Sequence, residues 1–548
     1  MTDDPSRRKV LKNSGALTGA ALLSGVAGGH AAQAAPRTTP STQPPPVVVL
    51  PSGRLLGSAE GGLAVFKGVP YAAPPVGALR WRAARPHPGW QGTHDATAFG
   101  PSAPQPYREG GDQVLGTHGS PPFGEDCLTL NVWTPATDDA KRPVLVWIHG
   151  GGFISGSGSM PNYSGETFAR DGDLVVVTVN YRLGPLGYLY FGEDGAGGNF
   201  WLTDQLAALR WVRENIASFG GDPDDITLAG QSGGALSVAA LAGARGAGRP
   251  GRPPFRRAIL QSPPLGLKIP TRAESLERTA AFLDILGAAN VTELRAAPWQ
   301  RLIAATFEMF GRTGRWGYWS TPFLPVLDDI TLDRDPGELL LGGAGADIDV
   351  LIGWTREEAN FAFGLSEPYA AATREQVVAR ARDTFGARAE QAYTAYEEAR
   401  PGARPVDVLM DLITDDLFRM PAVELAERRA ARGRPVWAYQ FNLPTPAHGG
   451  RLAAAHCLEL PFAFDNFDKW SQAPFLAGLN PRVRDGLAST MHAAWISFIR
   501  TGVPHHGAMP RWGRYDQDSR TTMALDSVTS AVGDLAGHWR RLHHPEGR

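Results

Sequence analysis

Cysteine is the scarcest chemistry in this chain: Cys127 and Cys457 are the only two among 548 residues. They match no metal-ligand spacing and build no disulfide framework. An excess of one charge is lacking too. With 53 Lys and Arg against 55 Asp and Glu, the formal net charge is −2, which leaves no electrostatic footprint for nucleic acid or an anionic membrane. Past the N-terminal leader no apolar run reaches the length of a membrane span. Past residue 46 there is no internal repeat and no second linker. The composition is 43 % hydrophobic and 20 % charged, which supports a folded chain with an ample core.

The leader stands apart. Ser6-Arg7-Arg8-Lys9-Val10-Leu11-Lys12 is a twin-arginine pattern, followed by the weakly apolar GALTGAALLSGVAGG and a small-residue site, Ala32-Gln33-Ala34. That layout predicts an export signal over residues 1–34 and an extracytoplasmic destination. APRTTPSTQPPP (35–46) reads as an unstructured Pro/Thr-rich tail. Residues 47–540 are expected to form one domain.

Within it, short apolar runs alternate with helical patterns, which predicts an α/β fold with a large, mostly parallel central sheet. Candidate strands are PVLVWI (143–148), LVVVTV (174–179), ITLA (226–229), RAILQ (257–261) and DVLIG (349–353). Residues 204–219 carry helical spacing and end at Gly220-Gly221. Two longer helical stretches, about 270–312 and 370–432, lie between strands as insertions placed to roof a site.

Gly230-Gln231-Ser232-Gly233-Gly234 sits between the run ITLA and the helical ALSVAALAG. A serine nucleophile on a sharp strand-to-helix turn needs small residues two before and two after it. The alternative is a flexible loop in a chain with 65 glycines. His149-Gly150-Gly151-Gly152-Phe153, directly after PVLVWI, favours the nucleophile. Glycines there turn bare N–H groups toward a developing oxyanion, joined by the N–H of Gly233. His149 precedes the serine and reads as structural.

A serine hydroxyl needs a base, and the base needs a carboxylate to orient it. In such a fold both follow the serine in the chain. His456 borders an apolar stretch, where an imidazole is shielded yet reachable, but spacing leaves His448 and His492 open. For the acid, Glu357 and Glu358 follow the strand DVLIG, and Asp415 and Asp416 are not excluded.

These residues resemble the type-B carboxylesterase family of α/β-hydrolases, which includes para-nitrobenzyl esterases and cholinesterases. FGGDP (219–223) running into ITLAGQSGG is similar to the family's serine signature, and EDCLTLNVW (125–133) to its second signature. FKGVPYAAPPVGALRW (66–81), NYRLGPLGYL (180–189) and 204–223 follow the same wording, and the likeness runs from about 50 to about 530. The resemblance implies an α/β-hydrolase fold whose helical insertions cover the active site. It assigns the nucleophile to Ser232 and the oxyanion donors to Gly151, Gly152 and Gly233. Its G-x-x-x-D-E-G stretch matches 353–359 and selects Glu358. Its H-x-x-E-L-P-F motif matches 456–462 and selects His456. It implies hydrolysis of small-molecule carboxylic esters through an acyl-enzyme, with no cofactor and no metal, and says nothing of oligomeric state.

The chain departs from the family at four places. Gln231 stands where the family often has Glu, which counts against a cationic substrate. Ala359 replaces the motif glycine after the acid, and Cys457 follows the base. Cys127 occupies a family disulfide position whose usual partner site is Ala103, so both thiols are expected free. Trp316, Trp319 and Phe323, in RWGYWSTPF (315–323), are candidate pocket residues favouring apolar or aromatic esters. Two alternatives stay open: a non-catalytic binding protein on this scaffold, and an amidase, lactonase or acyltransferase using the same groups.

Overall fold

The computed structural model describes residues 44–107, 113–116, 122–192, 197–244 and 254–544. The leader expected over residues 1–34 lies outside them. Among the described residues eleven strands form the main sheet, and Val47–Leu50, Gly53–Leu56 and Thr93–Asp95 form a separate three-stranded sheet. From one edge the main sheet runs Ser530–Val532, Thr522–Leu525, Val436–Phe441, Asp349–Thr355, Arg257–Gln261, Gly221–Gln231, Arg142–Ile148, Val175–Val179, Thr129–Thr134, Leu63–Pro70 and Ser58–Glu60. The stretch from Thr522–Leu525 to Val175–Val179 is parallel throughout. Antiparallel strands close both edges.

The continuous apolar runs of the central strands follow from burial on both faces. Along Arg142–Ile148, Val144, Val146 and Ile148 enter one core while Leu145 and Trp147 enter the core on the opposite face. Val175, Val177 and Val179 alternate with Val176 in the same way. A period of two splits one apolar string between two hydrophobic layers.

Helix Phe200–Asn215 begins four residues before the stretch read from sequence, because Phe200, Trp201 and Leu202 are themselves buried on its first turn. The stretch 270–312 holds helices Arg272–Leu286, Val291–Ala296 and Trp299–Thr313. The first starts on a capping box in which Thr271 accepts from Glu274 N and Thr271 N donates to the Glu274 carboxylate. The stretch 370–432 holds Arg374–Phe385, Ala389–Ala399, Pro405–Thr414 and Met420–Ala430, with a π-helical turn at Asp415–Arg419 before the last.

The junction at the sheet's centre is tightly packed around the serine. Strand Gly221–Gln231 ends, Ser232 turns at φ 58° and ψ −127°, and helix Gly233–Leu241 departs. A Cβ on Gly230 would lie 2.6 Å from the Gly234 carbonyl carbon, and one on Gly234 would lie 2.1 Å from Ile148 O. Neither obstacle can swing aside, since both are backbone. We predict that Gly234→Ala destabilises the protein by about 1–3 kcal/mol or prevents folding, since overpacking costs that much. Gly486, exposed in helix Pro481–Thr501 with open space at its Cβ position, should behave oppositely, Gly486→Ala stabilising by ~0.5–1 kcal/mol. Chemical denaturation of the two variants checks both signs.

Candidate active site

Loops at the carboxyl ends of the parallel strands hold Ser232, Gly151, Gly152, Glu358 and His456, the position where ligands bind in such sheets. Ser232 caps strand Gly221–Gln231 with a positive φ that a non-glycine residue adopts only under strain of about 1–3 kcal/mol. Its N–H donates to Gln261 O at 2.9 Å, and its carbonyl accepts from Leu236 N at 3.1 Å. These bonds fix the turn from both sides.

Gly150, Gly151 and Gly152 follow strand Arg142–Ile148. A Cβ on Gly150 would press to 3.0 Å from Ser232 Cβ, and one on Gly151, at φ 113°, would meet Ser155 O at 2.1 Å. Gly152 has φ 60°, and its carbonyl accepts from Thr321 Oγ1 at 2.8 Å. Gly233 opens its helix, where an N–H has no carbonyl one turn earlier to bond. His149 is a strut. Its ring stacks on Tyr181 at 4.5 Å, its Nδ1 donates to Gly150 O at 2.8 Å, and burial holds its pKa down at about 4.

His456 lies in the turn before helix Leu460–Phe464, and its Nδ1 is 2.5 Å from Glu358 Oε2. Glu358 is fully buried and accepts from Thr355 N at 2.7 Å through its other oxygen. The neighbouring Glu357 is engaged differently. Its carboxylate accepts from Ala454 N at 3.0 Å, and its N–H donates to Ala454 O at 3.1 Å. It therefore clamps the loop that carries His456. The other candidates are engaged elsewhere. Asp415 accepts from Tyr396 OH at 2.6 Å, and Asp416 from Arg380 at 2.7 Å. His448 donates to Gln113 O and His492 to Ala463 O, each at 2.8 Å.

Burial opposes a charge on His456, but the Cys457 sulfur and the Glu358 carboxylate outweigh it and carry the pKa well above the usual imidazole value of 6.5. Trp319, Phe361 and Phe418 pack around the ring with centroids at 5.2, 5.8 and 5.1 Å. Ser232, His456 and the three glycines line one cavity of about 480 Å³. Its walls include Tyr107, Phe153, Phe310, Trp319, Phe361, Phe418 and Trp470. A larger cavity of about 770 Å³ shares Leu267, Trp319, Ser320, Thr321 and Leu417 with it but contains none of these reactive groups.

Of the three aromatic candidates from RWGYWSTPF, Trp319 lines the cavity. The expectation is corrected for the other two. Phe323 is buried against Phe282 at 5.6 Å, and Trp316 stacks on Tyr369 at 5.7 Å along a shallow outer groove. Segment 315–323 has no regular period, so consecutive aromatics turn to three different environments. Phe418 reaches the cavity from the π-turn and Phe361 from the helix after Glu358. No sequence signal marked either, because the lining is gathered from segments distant in the chain. Cys127 and Cys457 are both buried and free.

The carboxylesterase family model matches residues 44–537. The chain belongs to the carboxylesterase family. It is 49 % identical over 493 residues to a phenmedipham hydrolase of Pseudarthrobacter oxydans, covering 90 % of this chain and 97 % of that one. It is 35 % identical to a para-nitrobenzyl esterase of Bacillus subtilis, covering 91 % and 98 %. A solved carboxylesterase of Geobacillus stearothermophilus superposes with a TM-score of 0.79 at 37 % identity, over 91 % of this chain and 99 % of that one. This carboxylesterase therefore has the α/β-hydrolase fold and is a carboxylic ester hydrolase. Among the described residues, no helix is long and apolar enough to cross a membrane.

Behind the histidine the carboxylesterase buries a second carboxyl group. Glu459 is held up at about 7, chiefly by burial and then by the Glu358 charge. One oxygen accepts from Gln261 Nε2 at 3.3 Å, and Oε2 has no partner among the described residues. The folded protein keeps this proton where the unfolded chain, with an ordinary glutamate at 4.5, has lost it. Stability from this group is present below about 4.5 and lost as pH rises to about 7. Glu459→Gln removes that loss, so its unfolding free energy should gain on wild type over this interval, read by denaturant titration at both ends.

Proposed function

We propose that the chain is a serine carboxylesterase acting through Ser232, His456 and Glu358, with Gly151, Gly152 and Gly233 as the oxyanion cradle. The observation that carries this reading is the pairing of His456 Nδ1 with the buried Glu358 carboxylate while the same ring faces the cavity that Ser232 and the glycines line. A carboxylate accepts only, so Nδ1 holds the proton and Nε2 is left as the basic nitrogen. Ser232 Oγ attacks the ester carbonyl and gives its proton to His456. Backbone N–H groups receive the carbonyl oxygen as it becomes negative, each lowering the barrier by ~3 kcal/mol. The imidazolium, balanced by Glu358, returns the proton to the departing alcohol, and water repeats the sequence on the acyl-enzyme.

The aromatic walls of the cavity support apolar or aromatic esters as substrates. The Bacillus relative, a para-nitrobenzyl esterase, supports the same class. The twin-arginine pattern at Arg7 and Arg8 supports export. Replacing both with lysine should retain the enzyme in the cytoplasm, checked by fractionation.

An organophosphate should label Ser232 covalently, and Ser232→Ala should neither label nor turn over short p-nitrophenyl esters, with a loss of at least ~10³-fold. A Ser232→Ala protein that still hydrolyses these esters, or an intact protein that does not label, removes the proposal.

A further inference from the structure

Gln231 precedes the nucleophile, is 1 % exposed, and turns its side chain toward the base. Its amide nitrogen lies 3.0 Å from His456 Nε2 and 3.3 Å from Cys457 Sγ. The space it occupies is built for it. A Cβ on Gly150 would lie 2.8 Å from its Oε1, so the glycine opposite leaves the amide room. Cys457 holds a left-handed φ of 73°, a conformation costly for a non-glycine residue, and from there its sulfur accepts the second amide N–H. In the neutral ring Nδ1 donates to Glu358, so Nε2 carries a lone pair, and an amide N–H is the partner such a nitrogen accepts.

We propose that Gln231 is a positioning residue whose amide N–H holds His456 in its neutral, proton-accepting form. The inference rests on the reading of Ser232 and His456 as nucleophile and base. Before transfer, the Gln231 N–H yields Nε2 to the Ser232 hydroxyl. The Ser232 proton then moves to Nε2 as the Oγ–carbon bond forms. Nε2–H then returns the proton to the departing alcohol as its bond to the carbonyl carbon breaks, and Gln231 neither gains nor loses a proton.

The neutral donor is what distinguishes an amide here. An ionised glutamate at 231 would only accept, so it would favour the imidazolium and raise the pH at which the base is free. The titratable groups coupled to His456 are Glu358, Cys457 and Glu459. The other sides of the ring meet Trp319, Phe361 and Phe418, which carry no charge. Glu358 raises the basicity of the imidazole and Gln231 tempers it, so the two partners set the acid edge of activity from opposite ends of the ring.

The test is the pH profile of kcat/KM for a p-nitrophenyl ester, and of the rate of organophosphate inactivation, in wild type, Gln231→Met and Gln231→Glu. Gln231→Glu should move the acid limb upward by about one pH unit or more, so that activity below the limb falls at least ~10-fold. Gln231→Met, which loses the donor without adding charge, should place the limb between the two. A folded Gln231→Glu protein whose limb matches or lies below that of wild type overturns the proposal. If that variant does not fold, a Gln231→Met limb coincident with wild type does so. Ser232→Ala separates the two readings. Activity retained there defeats the assignment of the nucleophile, whereas activity lost there with unmoved limbs in the Gln231 variants defeats only the role of Gln231.

Discussion

The collision-free crossing of three backbones at the sheet's centre is the constraint on which the site depends. Strand Gly221–Gln231, helix Gly233–Leu241 and the end of strand Arg142–Ile148 approach so closely that no side chain fits at Gly230 or Gly234. With both positions reduced to backbone, the turn between them is too short for a relaxed residue, and Ser232 takes φ 58°. The buried strands on either side hold that strain in place. The same crossing orders the neighbours: Gln231 ends the strand pointing inward, Ser232 projects into the cavity, and Gly233 begins a helix with a free N–H end.

A buried acid–base pair is a costly partner for such a turn. Taking Glu358 and His456 out of water costs several kcal/mol per ion when charged, returned only where every remaining polar atom is engaged. Glu358 meets this with both oxygens, one on Thr355 N and one on the ring. The ring meets it with Nδ1 on Glu358 and Nε2 beside Gln231. Glu357 contributes at one remove, pinning the segment at Ala454 so that the ring and its carboxylate stay in register. Adjacent glutamates thus divide the work of orienting the ring and anchoring its loop.

How far this was readable from sequence follows from locality. The serine turn and the glycine loop are written within a few residues of a strand, so their type and place were legible from GQSGG, HGGGF and the apolar runs before them. The proposed partners of Ser232 were not. Glu357 and Glu358 differ by one position, and His448, His456 and His492 all follow the serine; only resemblance to a family separated them. What separates them physically is which strand's end their loop leaves and how it folds back, information spread over the whole sheet. The aromatic segment shows the same limit, since Trp316, Trp319 and Phe323 are close in sequence and part company in space. Ala359 and Cys457 mark the reverse case. Ala359 has φ −69°, which any residue adopts, whereas Cys457 sits at φ 73° and bears the cost of not being glycine.

Charge accounting joins these details. In the proposed tetrahedral intermediate the cavity and its rear wall would hold an oxyanion, an imidazolium and the Glu358 carboxylate, a net of one negative charge. Glu459, buried beside them, keeps its proton up to about 7 and adds nothing. A carboxylate at 231 would add a second uncompensated charge within reach of the developing oxyanion, in surroundings where Trp319, Phe361 and Phe418 leave little to screen it. An amide at that position, and a retained proton at Glu459, leave the glycine N–H groups facing a single excess charge. Residues that take no part in bond making thus set how much charge the site would carry when the intermediate forms.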